Sequence, residues 1–122
     1  PTPGPRTCTS QLFNTIIADN DASLWGGGLT ISGRNPNVAD LTNNTITNNY
    51  AGEECGWLVV SACCVGYPDS DVTVNLANNI IKGNTRAASI DSDIYVYDVG
   101  EATATVNARY SNVGPVDLVN VN

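Results

Sequence analysis

The apolar positions of this chain recur with a long period. Leu12-Phe13-Asn14-Thr15-Ile16-Ile17-Ala18-Asp19-Asn20 has the form L-x-N-x-x-I-x-x-N. That form returns from Leu41 to Asn49 and from Leu76 to Asn84, at steps of 29 and 35 residues. A second apolar element follows each copy. Leu29-Thr30-Ile31 and Leu58-Val59-Val60 begin nine residues after Asn20 and Asn49, and Ile94-Tyr95-Val96 begins ten after Asn84. The excess length of the middle unit lies between Val60 and Leu76, around Cys63-Cys64. A degenerate fourth copy is expected to start at Val106, in line with Leu12, Leu41 and Leu76. Self-similarity at a fixed period is the signature of a repeat architecture.

Each unit holds short strand-like stretches and turn residues such as Gly26-Gly27-Gly28 and Gly33-Arg34-Asn35-Pro36-Asn37, but no helical pattern of useful length. A leucine-rich repeat needs a regular leucine consensus that is missing. The remaining architecture is a coil of β-strands in which each coil hydrogen-bonds to the next, an all-β parallel β-helix (solenoid) of about four coils with 29–35 residues per coil. Residues 1–7 read as an extended Pro-rich segment and residues 8–122 as the repeat domain. The inward columns are Leu12/Leu41/Leu76/Val106, Ile17/Ile46/Ile81, Leu29/Leu58/Ile94 and Ile31/Val60/Val96. Asn14, Asn43 and Asn78 are expected to stack as an Asn ladder at a bend between strands.

Composition supports strands and turns. Asn occurs sixteen times, Met is absent and Lys appears once; Asn competes for nearby backbone groups and favours turns over helices. A net charge of −7 with five dispersed basic residues argues against a nucleic-acid partner. No apolar run reaches the ~18 residues of a membrane span. The Pro1-Thr2-Pro3-Gly4-Pro5 start reads as that of a processed or truncated product. Cys8, Cys55, Cys63 and Cys64 lack metal-site spacing, and the chain has no His. They read as disulfides of a secreted protein, with four small buried side chains as the alternative.

The repeats resemble the right-handed parallel β-helix repeats of bacterial exported proteins, the architecture of the pectin-lyase-like superfamily. They are also similar to polymorphic outer-membrane protein repeats, which pair G-G-x-[IL] with [FI]-x-x-N. Here these are Gly27-Gly28-Leu29 and the decayed Gly56-Trp57-Leu58, with Ile17-x-x-Asn20, Ile46-x-x-Asn49 and Ile81-x-x-Asn84. The resemblance covers the chain from Cys8 onward and implies a right-handed fold and an exported location. It specifies a fold and leaves function open. No catalytic residue carries over.

Candidate sites each have a plainer reading. The acidic pairs Asp19/Asp21, Glu53/Glu54, Asp69/Asp71 and Asp91/Asp93 suggest calcium or glycosidase carboxylates, against ordinary turn chemistry. The repeat spacing keeps the pairs apart, so no cofactor and no metal site are expected. Asn43-Asn44-Thr45 is the single N-x-[ST] sequon, but a ladder Asn43 pointing into the bend would carry no glycan. Period-two alternation places Trp57, Val59, Tyr95 and Tyr97 on the outward face, either as an exposed aromatic patch for glycans or as scattered surface residues. Vicinal Cys63 and Cys64 rarely bond each other, and Cys8 to Cys63 or Cys64 is the favoured pair, with an intermolecular bond left open.

The expected function is non-catalytic. The chain shows no cap, and its end from Val116 to Asn122 is strand-like, so self-stacking of subunits into an extracellular filament is the leading reading. The interface would use Thr9, Leu12 and Ile17 at one end and Val116, Leu118 and Val121 at the other. The alternative is an adhesin-like surface module binding carbohydrate or a host protein; a polysaccharide lyase or hydrolase fragment ranks last.

Overall fold

A computed structural model describes residues 6–53, 58–62, 70–87 and 90–121, with side chains in the last strand as far as Leu118. The described residues form sixteen strands and no α-helix: β1 (Cys8–Phe13), β2 (Ile16–Ala18), β3 (Asp21–Ala22), β4 (Leu29–Gly33), β5 (Asn37–Thr42), β6 (Thr45–Thr47), β7 (Tyr50–Ala51), β8 (Leu58–Ala62), β9 (Val72–Ala77), β10 (Ile80–Lys82), β11 (Thr85–Arg86), β12 (Ile90–Asp91), β13 (Ile94–Val99), β14 (Ala104–Arg109), β15 (Asn112–Val113) and β16 (Val116–Val121). They assemble into four four-stranded sheets, which we call A (β1-β5-β9-β14), B (β2-β6-β10-β15), C (β3-β7-β11-β12) and D (β4-β8-β13-β16). Sheets A, B and D are parallel throughout and take one strand from each successive repeat.

The register places Leu12 beside Leu41 and Leu41 beside Leu76. Ile17, Ile46, Ile81 and then Val113 form the next column. Leu29, Leu58, Ile94 and Val116 form a third, with Ile31, Val60, Val96 and Leu118 beside it. These side chains meet in one core, where Ile46, Leu58, Val60, Val72, Val74 and Ile81 are fully enclosed. No repeat buries its own apolar face; the repeats on either side do it.

The fourth repeat departs from expectation. Leu76 pairs with Ala108, and Val106 pairs with Val74. A slip of two residues preserves side-chain parity, so Val106 still faces the core, one pair of residues earlier along the strand. The fourth repeat also omits sheet C. Only Gly114 and Pro115 separate β15 from β16, and the fourth position of sheet C is filled by β12, which folds back antiparallel on β11.

The bends have a local cause. Asn14, Asn43, Asn78 and Tyr110 occupy the corner between sheets A and B with φ of 54°, 56°, 55° and 52°; Asp19, Asn48 and Gly83 occupy the corner between B and C with φ of 58°, 56° and 74°. Left-handed backbone suits Asn, Asp and Gly, which explains the choice at six of the seven positions. The residue after each corner turns its side chain inward.

Candidate functional site

Two buried polar columns run beside the apolar core, and both lie one residue beyond the corners. Asn20, Asn49 and Asn84 form one. Asn20 Nδ2 donates to Asn49 Oδ1 (2.9 Å), and Asn49 Nδ2 donates to Asn84 Oδ1 (2.9 Å). The backbone N–H groups of Asn20 and Asn49 donate to the same oxygens (3.2 and 3.0 Å). The second amide protons reach carbonyls in the preceding repeat, Ile17 for Asn49 (3.1 Å) and Ile46 for Asn84 (3.2 Å). The other column runs Thr15, Asn44, Asn79, Ser111: Thr15 N donates to Asn44 Oδ1 (3.0 Å), Asn44 N and Nδ2 to Asn79 Oδ1 (2.9 and 3.0 Å), and Asn79 N to Ser111 Oγ (3.1 Å). Asn44, Asn49, Asn79 and Asn84 are buried, with their amides satisfied by these bonds.

The expected ladder of Asn14, Asn43 and Asn78 is therefore displaced by one position. These three are exposed corner residues joined only loosely, Asn43 Nδ2 donating to Asn14 Oδ1 at 3.3 Å. A left-handed corner throws the side chain outward and turns the next one in. Asn43, the sequon residue, does not point into the bend.

Both columns have one direction: each repeat donates to the repeat after it. The Thr15 column ends on the Ser111 hydroxyl. The Asn20 column ends on Asp93, whose Oδ1 accepts from Asn84 N (2.9 Å) and Nδ2 (2.7 Å). Asp93 is 1% exposed, and its own N–H is engaged by the Pro115 carbonyl (3.0 Å). Burial raises the pKa of its carboxyl, with the Asp91 charge adding to the rise, while the hydrogen bonds from Asn84 and Gly83 oppose it. A Cβ at residue 114 would overlap Asp93 Oδ2, so glycine there makes room for the carboxylate. Nearby, Ser92 Oγ donates to Asp117 Oδ2 (2.8 Å), and Arg86 Nε lies 3.8 Å from the same oxygen.

The residues expected at the ends of the stack do lie on edge strands. Thr9 and Leu12 are in β1, Ile17 is in β2, and Val116, Leu118 and Val121 are in β16. At the first-repeat end the core opens into a hollow of ≈ 220 Å³ lined by Leu12, Leu29, Ile31, Ala39 and Leu41. At the last-repeat end a hollow of ≈ 250 Å³ is lined by Val96, Val106, Ala108, Val113, Val116 and Leu118. Leu118, an inward column residue, is 76% exposed, with no strand beyond β16 in sheet D among the described residues.

The aromatic-patch expectation is corrected by burial. Val59 and Tyr95 are 9% and 7% exposed and form a small cluster with Tyr97, the two tyrosine rings stacked at 6.2 Å. Burial of two of its members removes them from an exposed patch; Trp57 lies outside the described residues. Cys8 is a free, exposed thiol beside Asn37 on the first edge strand, which corrects the pairing expected for it. Cys55, Cys63 and Cys64 lie outside the described residues. Among the described residues no three His, Cys, Asp or Glu side chains converge on a metal-sized point.

Sequence reasoning missed the outer face of sheet A. Asn75 Nδ2 donates to Asp40 Oδ1 (2.9 Å) and Asn107 Nδ2 to Asn75 Oδ1 (3.0 Å), a polar column along a shallow groove that Gln11 and Arg109 also line. It named Asp93 only as half of the Asp91/Asp93 acidic pair and missed its role at the end of the Asn20 column, for which the visible signal was an acid in place of a fourth Asn beside a shortened connection.

Comparison with family models, curated proteins and solved structures finds no match. The likeness to exported repeat proteins thus rests on motif spacing.

Proposed function

We propose that this chain is a non-catalytic, secreted structural protein: a right-handed parallel β-helix of about four coils that stacks end to end into a filament. The observation that carries the reading is the pair of open ends. Each is an apolar hollow of similar size lined by the same residue columns, and each is bordered by strand edges that have no partner strand among the described residues, a template for a further strand. The occupant is a second copy, because the first repeat already fits on a neighbour built to the same column plan, and a head-to-tail contact that does not close gives a filament. Sheets A, B and D would continue in parallel register; the antiparallel β12 would leave sheet C as the weakest quarter of the contact.

Leu118→Pro tests this. Ile94 N donates to the Pro115 carbonyl (3.2 Å), so strand alternation aims the N–H of Leu118 at the open edge, and its loss leaves the pairing of β16 with β13 intact. The native protein should form filaments with an axial repeat of about 20 Å, four strand spacings. The variant should remain a folded monomer. A native protein that sediments as a monomer at high concentration and shows no filaments by electron microscopy rejects the reading. A second reading, a carbohydrate-holding surface module, is favoured by the polar column on sheet A. Retention on a glycan array that Asn75→Ala abolishes would support it.

A further inference from the structure

The polar column on the outer face of sheet A holds bonding capacity that the fold does not use. Gln11, Asp40, Asn75 and Asn107 stand in register, one from each repeat. Asn107 Nδ2 donates to Asn75 Oδ1 (3.0 Å) and Asn75 Nδ2 to Asp40 Oδ1 (2.9 Å), so each rung is held by its neighbour. A second amide proton on Asn75 and on Asn107, the lone pairs of Asp40 Oδ2 and the Gln11 amide take no partner among the described residues. The next row on the same face is Phe13, Thr42, Ala77 and Arg109. Its two middle members are short, and the surface there forms a hollow of ≈ 820 Å³ bordered by Gln11, Asp40, Asn75, Asn107 and Arg109. Phe13, at the first-repeat end of that row, is 62% exposed.

We propose that the outer face of sheet A binds a linear, neutral, β-1,4-linked polysaccharide, laid along the stack axis with one sugar to each rung. The proposal rests on the surface-module reading, names its ligand and is independent of whether copies stack. The groups facing the hollow dictate what fills it. Amides beside a lone carboxylate suit a ligand whose own groups both donate and accept, as hydroxyls do. The rungs recur at the strand spacing of about 4.8 Å, so a ligand that meets them all repeats at nearly that length. An extended β-1,4-linked pyranose chain has such a repeat. Charge narrows the class further. Asp40 stands within the column of a chain whose net charge is −7, which repels acidic polysaccharides, and Arg109 is the one cation bordering the hollow. Phe13 offers a ring against which a sugar face can pack. Rungs already tied to one another lose little freedom when the ligand arrives.

The test is isothermal titration calorimetry of the full chain with cello-oligosaccharides from the disaccharide to the hexasaccharide. Laminari-oligosaccharides, whose β-1,3 linkage coils the chain, and oligogalacturonates, which are acidic, serve as length-matched controls. Affinity for the cello series should rise by at least about tenfold from the disaccharide to the tetrasaccharide, one sugar for each of the four strands, and then level off. Asn75→Ala, which removes a middle rung, should weaken tetrasaccharide binding by at least about tenfold. Asn112→Ala, an exposed amide on sheet B, should leave it unchanged. Should Asn75→Ala fail to fold, Asn107→Ala carries the same test from the exposed end rung: tetrasaccharide binding falls to the trisaccharide level while trisaccharide binding stays nearly as it was. Affinity that ignores chain length, or controls held as tightly as the cello series, overturns the axial ladder and leaves a carbohydrate-binding module standing. If the chain holds no oligosaccharide of any series, the ladder falls and the module reading with it.

Discussion

Removing one rung of the buried column separates an enclosed amide from an exposed corner amide of the same residue type. Asn49→Ala deletes the acceptor for Asn20 N and Nδ2, the donor to the Ile17 carbonyl and one of the two donors to Asn84 Oδ1. Asn20 is exposed, so its donors return to water, but the Ile17 carbonyl and Asn84 Oδ1 do not. At about 1–3 kcal/mol for each enclosed group left short of a partner, the expected loss is about 2–4 kcal/mol. Asn43→Gly deletes one exposed bond of 3.3 Å and places the residue best suited to φ = 56° at the corner. Its change should stay within about 0.5 kcal/mol. Equilibrium urea unfolding reads both. With a slope of about 2 kcal/mol/M, Asn49→Ala moves the midpoint down by about 1–2 M while Asn43→Gly leaves it in place. Equal losses at the two positions would refute the assignment of the buried column to the residue after the corner.

Three further outcomes follow from packing and charge. Ile46→Asp should cost at least about 3 kcal/mol, because it sets a carboxylate between Ile17 and Ile81 at a fully enclosed site, whereas Thr47→Asp, half-exposed and opposite Lys82, should cost under about 1 kcal/mol by thermal or urea melts. Gly52→Ala should cost at least about 2 kcal/mol in the same assay, since the new Cβ would overlap the Ser23 carbonyl oxygen of the repeat beside it and backbone cannot swing aside. The raised Asp93 pKa means that the folded chain holds this proton more tightly than the unfolded one. Its penalty is complete above the folded pKa and is relieved as pH falls through it, so the native protein should gain stability there relative to Asp93→Asn.

The inward columns were legible because they are set by period alone. Leu12/Leu41/Leu76 and Ile17/Ile46/Ile81 need only a constant step, and parallel pairing turns that step into contact. The fourth repeat was not, because its lead residue is Ala108, too small to announce itself, while Val106 two positions earlier has the right character and the same facing. Sequence periodicity cannot distinguish two positions of equal parity when the stronger apolar residue occupies the wrong one.

The ladder was misplaced for a related reason. In Asn43-Asn44, Asn48-Asn49 and Asn78-Asn79 the doublet hides which amide is structural. The columns separate them: the first position accepts Asp19, Asn48 or Gly83, a set united by tolerance of left-handed backbone, whereas the second holds Asn20, Asn49 and Asn84 without substitution. At this corner, between sheets B and C, the residues that exchange according to backbone tolerance serve the chain direction, and the one that stays Asn serves a bond that needs donor and acceptor on one side chain. At the corner between sheets A and B the recurrent Asn14, Asn43 and Asn78 serve the chain direction and the buried position holds Thr15, Asn44, Asn79 and Ser111, so recurrence there points to the wrong residue. On that logic Asp93 is the telling exception. It keeps the acceptor that the column requires from below, and Gly114 and Pro115 of the last repeat close over it. The change falls where the chain also bypasses sheet C and folds β12 back antiparallel. Two independent departures from the repeat, one in side-chain chemistry and one in topology, fall at the same corner of the last repeat.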